Sequence, residues 1–135
     1  MKTRHSILIV DDDADDREII RDAFMTNNNH SDYVFLESGD ALMEYLELNS
    51  RVIFPSLILL DLNMPGKDGR EALKEIKSNE QYRSIPTVVF TTSSSQRDKE
   101  TSYNLGANCF VTKPDTFHKL VEITSSITKL WLGDA

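Results

Sequence analysis

A chain of 135 residues with 39% hydrophobic and 27% charged residues has the size and balance of one globular domain around a single core. Its net charge of −7, with Lys and Arg unclustered, argues against a nucleic-acid surface and favours a partner with basic contacts, or a cation. No apolar run approaches the length of a membrane span, only four apolar residues follow the basic N-terminus, and the lone Cys109 excludes an internal disulfide; together these predict a cytoplasmic protein in a reducing compartment.

Ile7-Leu8-Ile9-Val10 is apolar and rich in β-branching, as a buried strand is, and it ends on Asp11-Asp12. Asp11 to Asp16 hold five carboxylates in six residues, more local charge than solubility requires. Asp13 is placed to cap a helix whose first turn carries Asp15 and Asp16 at the positive end of the dipole. Ile19, Ile20, Ala23 and Phe24 recur at helical spacing, and Asn27-Asn28-Asn29 stops the pattern. Asn29-His30-Ser31 matches a glycosylation sequon, read as a chance match in a chain without a secretory signal. Tyr33-Val34-Phe35-Leu36 predicts a strand, broken by Gly39, and Ala41, Leu42, Tyr45 and Leu46 mark a second amphipathic helix.

The central stretch is Ser56-Leu57-Ile58-Leu59-Leu60-Asp61, bounded by Pro55 and by Pro65-Gly66. Its apolar run predicts a strand buried on both faces, with Asp61 where the strand opens into a loop. Ala72, Leu73 and Ile76 give a third helix its stripe. Pro86 opens the strand Thr87-Val88-Val89-Phe90, which runs into Thr91-Thr92. Residues 96–105 are charged and offer only Tyr103 and Leu105 as sizeable apolar groups, so a helix there is weakly anchored. Gly106 stops it, Asn108-Cys109-Phe110-Val111-Thr112 is the last strand, and Lys113-Pro114 closes it. Asp115 is the expected cap of a final helix with Phe117, Leu120, Val121, Thr124, Ile127 and Trp131 on one face.

Five strands alternating with five helices predict parallel pairing through right-handed crossovers, a doubly wound three-layer α/β/α sandwich. In such a sheet every strand's C-terminal end faces one edge, which brings Asp11, Asp12, Asp61, Thr91 and Lys113 together. Each alone has a plain reading: a helix cap, a turn, a strand-end hydroxyl, a solvated lysine. Their coincidence at four strand ends points to chemistry. Crowded carboxylates raise a pKa or recruit a counter-ion, and an all-oxygen set suits Mg²⁺. No twelve-residue calcium loop is present, and His5, His30 and His118 are too scattered for zinc. With a cation, a carboxylate becomes a nucleophile toward a phosphoryl donor, and Asp61 fits that role. The chain lacks a Gly-rich nucleotide loop, a dinucleotide fingerprint and a serine nucleophile elbow.

The motifs Ile7-Leu8-Ile9-Val10-Asp11-Asp12-Asp13, Leu60-Asp61-Leu62-Asn63-Met64-Pro65-Gly66-Lys67-Asp68-Gly69, Thr91-Thr92, Gly106-Ala107 and Lys113-Pro114 together resemble the response-regulator receiver domain of two-component signalling. The resemblance runs from Ile7 to about Leu130 and implies the flavodoxin-like fold, a five-stranded parallel sheet of order 2-1-3-4-5, with residues 1–135 forming a single receiver domain and no output domain. It implies that Asp61 accepts a phosphoryl group from a phosphohistidine of a sensor histidine kinase. Mg²⁺ would be held by the Asp12 and Asp61 side chains and the Asn63 backbone carbonyl, with Asp11 acting through water. Thr91 resembles the switch hydroxyl, Phe110 the switch aromatic, and Lys113 the phosphoryl-pairing lysine. A cis Lys113–Pro114 bond is implied as well. Such a domain is not a conventional enzyme, since it catalyses only its own phosphorylation and dephosphorylation, and it acts by switching the surface of its fourth helix, last strand and last helix.

Asp115 stands where many members carry an aromatic residue. A narrower likeness is to stand-alone receivers serving phytochrome-type kinases, and it leaves a homodimer through the last strand and helix open. Two other classes are weighed. A phosphotransferase of the haloacid dehalogenase type needs a second acid two residues after the nucleophile, where this chain has Asn63. A pseudo-receiver, which binds partners without phosphate, is disfavoured by the presence of every site residue type.

Overall fold

A computed structural model of the chain describes residues 5–27, 31–49 and 54–133. The Asn29 and His30 positions of the sequon therefore lie outside the described residues. Strands β1 (Ser6–Val10), β2 (Asp32–Leu36), β3 (Leu57–Leu60), β4 (Thr87–Thr91) and β5 (Cys109–Thr112) alternate with helices α1 (Ala14–Thr26), α2 (Gly39–Asn49), α3 (Gly69–Ser78), α4 (Gln96–Asn104) and α5 (Phe117–Ile127). All pairings are parallel and the order is β2-β1-β3-β4-β5, as expected of the receiver fold. No helix among the described residues is long and apolar enough to cross a membrane.

Because β1, β3 and β4 are central, alternate side chains feed two separate cores. Leu8, Val10, Ile58, Leu60 and Val89 pack beneath α2 and α3 with Leu42, Leu46, Leu73 and Ile76. On the opposite face Ile7, Ile9, Leu57, Leu59, Val88 and Phe90 meet Phe24 of α1 and Leu120 and Ile127 of α5. The outer strands β2 and β5 are only half-buried, each paired on one side.

Several local expectations are corrected. The cap of α5 is Thr116, whose hydroxyl accepts from the Lys119 N–H at 3.2 Å, while Asp115 pairs with the Lys119 ammonium instead. Trp131 lies beyond α5, in a π-helical turn spanning Thr128–Leu132. Ile19 and Phe117, expected on apolar faces, are 44% and 47% exposed. The peptide bonds among the described residues are all trans, Lys113–Pro114 included. Asp13 does cap α1, accepting from the Asp16 N–H at 3.1 Å.

Helix α4 has Ser102 as its sole buried residue, so polar tethers hold it. Arg70 on α3 bonds the Asp98 carboxylate at 2.9 Å, the Ser93 hydroxyl donates to the same carboxylate at 2.7 Å, and the Phe110 N–H donates to the Tyr103 hydroxyl at 3.1 Å. The Ser93 hydroxyl and the Arg70 guanidinium hold Asp98 below its ordinary value of 3.8. A depressed carboxylate contributes stability above its unfolded value and loses it as pH falls through the folded value. Amide exchange in α4 should therefore quicken ahead of the other helices once pH drops below about 4. Asp98→Asn should reproduce that loosening at neutral pH; unchanged α4 protection in this variant would remove the tether from the account.

Candidate functional site

The backbone ladder levels the strand ends. The Asp11 N–H donates to the Leu36 carbonyl at 3.0 Å, the Asp61 N–H to the Val10 carbonyl at 3.0 Å, and the Lys113 N–H to the Thr91 carbonyl at 2.6 Å. Each of these residues lies just past a strand, so its backbone is held by the sheet while its side chain faces the C-terminal edge. The edge brings together Asp11, Asp12 and Asp61, which offer carboxylate oxygens within 4.8 Å of one another. Asp11 and Asp61 are buried and Asp12 is exposed, so the cluster opens to solvent on one side.

Lys113 reaches into the cluster from the end of β5. Its ammonium lies 2.6 Å from Asp11 Oδ2, 2.8 Å from Asp16 Oδ2 and 3.7 Å from Asp61 Oδ2. Three carboxylates thus share one cation. Burial by itself lowers the lysine's affinity for its proton, but the hydrogen bonds to Asp11 and Asp16 and the charges of Asp11 and Asp61 overcome it and hold the ammonium above its ordinary value. Asp11 is pushed up from its ordinary 3.8 by burial, against the bonds it accepts from Lys113 and from the Asp13 N–H. The neighbouring charge of Asp61 pushes it the same way.

The remaining expected residues fall around this centre. Asn63 is two residues along the loop from Asp61, and its N–H faces Asp61 Oδ1 at 3.4 Å. Thr91 ends the adjacent strand with its side chain fully buried, and its hydroxyl accepts from the Ser93 N–H at 3.3 Å. Phe110 is not in the cluster; it pairs in register with Val89 and is half-buried against the core beneath α2 and α3. His118 pairs with Glu122 on the exposed side of α5, and His5 lies beside Ser56 at the opposite end of β1. Asp11, Asp12 and Asp61 form the single group of potential metal-binding side chains among the described residues.

Two residues escaped the sequence reading. Asp16, whose place in the sequence points only to the helix dipole, is a direct partner of Lys113. Nothing in spacing signals that contact, because it joins residues 97 positions apart. Gly69, in sequence only the last residue of the Leu60–Gly69 motif, lies against the backbone of Asp61.

All-oxygen donors, partly buried and open on one side, fit a hard divalent cation that retains water. The model of the response regulator receiver domain family matches residues 7–125. The chain belongs to that family, whose members are signalling modules of two-component systems. Among its relatives, the response regulator Rcp1 of Synechocystis sp. is 38% identical over 129 residues, covering 93% of this chain and 88% of Rcp1. The phosphorylated cyanobacterial phytochrome response regulator RcpA superposes with a TM-score of 0.90 at 37% identity, covering 98% of this chain and 97% of RcpA. The Mn(2+)-bound form of Rcp1 superposes with a TM-score of 0.85 at 36% identity, covering 97% and 96% of the two chains.

Proposed function

We propose that this receiver takes a phosphoryl group on Asp61 from a phosphohistidine of a sensor histidine kinase and, once modified, switches a protein-binding surface. The observation that carries the reading is the convergence of three carboxylates and one ammonium at the end of the sheet, with Asp61 anchored by the backbone of β1. An Asp61 carboxylate oxygen attacks phosphorus as the bond from phosphorus to the histidine nitrogen breaks, so the phosphoryl group passes between the two side chains without any nucleotide. The Asp12 and Asp61 side chains, the Asn63 carbonyl and, through water, Asp11 would hold Mg²⁺, which when bound neutralises charge on the transferring oxygens. Lys113, already 3.7 Å from Asp61, neutralises a further oxygen.

Modification adds roughly −1.5 to −2 units of charge, by analogy with other phosphorylated side chains. The Thr91 hydroxyl, which accepts from the Ser93 N–H, then donates its own proton to a phosphoryl oxygen. The loop that follows β4 moves with it, and Phe110 turns into the space vacated. Helix α4 is the element that yields, since so little apolar surface fixes it. The likeness to the cyanobacterial phytochrome response regulator RcpA supports a phytochrome-type kinase as the donor.

The test is intact-protein mass after incubation with acetyl phosphate, with and without Mg²⁺, on wild type and Asp61→Asn. One phosphoryl adduct that requires Mg²⁺ and vanishes in the variant is expected. A folded wild type that stays unmodified overturns the reading in favour of a phosphate-independent binding module.

A further inference from the structure

Lys113 is held in a place that its proposed role alone does not explain. An ammonium has three donors, and the two short bonds made here go to Asp11 and Asp16. Asp61 stands outside hydrogen-bond reach, at 3.7 Å. Asp16 is itself firmly placed: it lies in the first turn of α1, and its N–H is fixed by the capping carboxylate of Asp13. From that position it draws the ammonium toward the α1 side of the cluster.

Deepening the receiver reading and resting on it, we propose that Asp16 is a positioning residue for Lys113: it keeps the ammonium off the Asp61 oxygen and so leaves that oxygen to a divalent cation. Without Asp16 the lysine has one fewer counter-ion, and the remaining carboxylate within ion-pair distance besides Asp11 is Asp61, whose Oδ2 lies at 3.7 Å. A shift of about 1 Å would make that contact a charge-assisted hydrogen bond. The oxygen would then be occupied, and a positive charge would stand closer to where the cation has to sit. Lys113 and the cation compete for the same carboxylates, and Asp16 biases the competition by giving the lysine somewhere else to bind.

A plain helix-dipole role for Asp16 predicts differently. Asp15 occupies the same first turn and is exposed, so its loss measures the dipole and long-range charge effects alone. The experiment is calorimetric titration of Mg²⁺ into the unphosphorylated protein, with folding of each variant checked by circular dichroism. Asp16→Asn should weaken Mg²⁺ binding roughly three- to tenfold, the range a unit charge moved by an ångström or two in a partly buried site produces. Asp16→Glu, which can still reach Lys113, should restore most of the affinity. In a Lys113→Ala background the same Asp16→Asn change should cost no more than Asp15→Asn does in wild type. An equal loss with Asp16→Asn and Asp15→Asn, or a loss that persists undiminished without Lys113, overturns the inference while leaving the receiver reading intact. A wild type that binds no Mg²⁺ overturns the metal reading and the inference together.

Discussion

Gly69→Ala is expected to destabilise the protein by about 3 kcal/mol and to slow modification of Asp61 by acetyl phosphate. A Cβ built on Gly69 lies 2.1 Å from the Asp61 carbonyl oxygen and 2.7 Å from the Leu62 Cα. Neither neighbour is a flexible side-chain end that could step aside. Both are backbone at the mouth of β3, and the Gly69 N–H is itself bonded to the Leu62 carbonyl at 3.0 Å. The substitution therefore moves either the start of α3 or the peptide that carries Asp61, and both reach the site. Urea unfolding would register the stability loss, and the rate of adduct formation the displacement of the carboxylate. Wild-type stability in this variant would mean that the close approach is not a feature of the molecule.

Lys113→Ala should cost about 2 kcal/mol in the absence of metal, and most of that should return in millimolar Mg²⁺. Breaking a buried pair leaves an uncompensated charge, and here the lysine side chain is 13% exposed and that of Asp11 only 3%. The cost stays below that of a fully buried pair because Asp16 is far more open to water. Mg²⁺ replaces the missing positive charge, so the variant should gain more from the metal than wild type does. Melting temperatures with and without Mg²⁺ decide it: a variant at least as stable as wild type in metal-free buffer would show that the ammonium is not what holds the cluster together. The adduct should still form in this variant, but α4 exchange should respond to it less than in wild type, since the phosphoryl oxygens lose a partner.

The architecture was legible because apolar runs of four or five residues alternate with helical periodicity, and such alternation has few topological solutions. The strand ends were legible for the same reason, since each apolar run stops on a residue with chemistry. Local end effects were less so. Asp115 and Thr116 are both good caps, and the choice between them fell to backbone geometry: Thr116 takes the extended conformation and Asp115 finds Lys119 instead. Ile19 and Phe117 fit the helical period but not the burial, because periodicity identifies a face and not how far the neighbouring element extends along it.

By itself the amino-acid order determined the five-strand alternation, the placing of Asp11, Asp12, Asp61 and Lys113 at strand ends, and the weakness of α4, since these depend on composition within short windows. Only the tertiary structure decided who shares Lys113. That question turns on ångström differences between groups far apart in the chain, 2.8 Å to Asp16 against 3.7 Å to Asp61. Long-range electrostatics among convergent side chains has no period and leaves no trace in local sequence, so the competition at this site becomes visible only once the strands have been laid side by side.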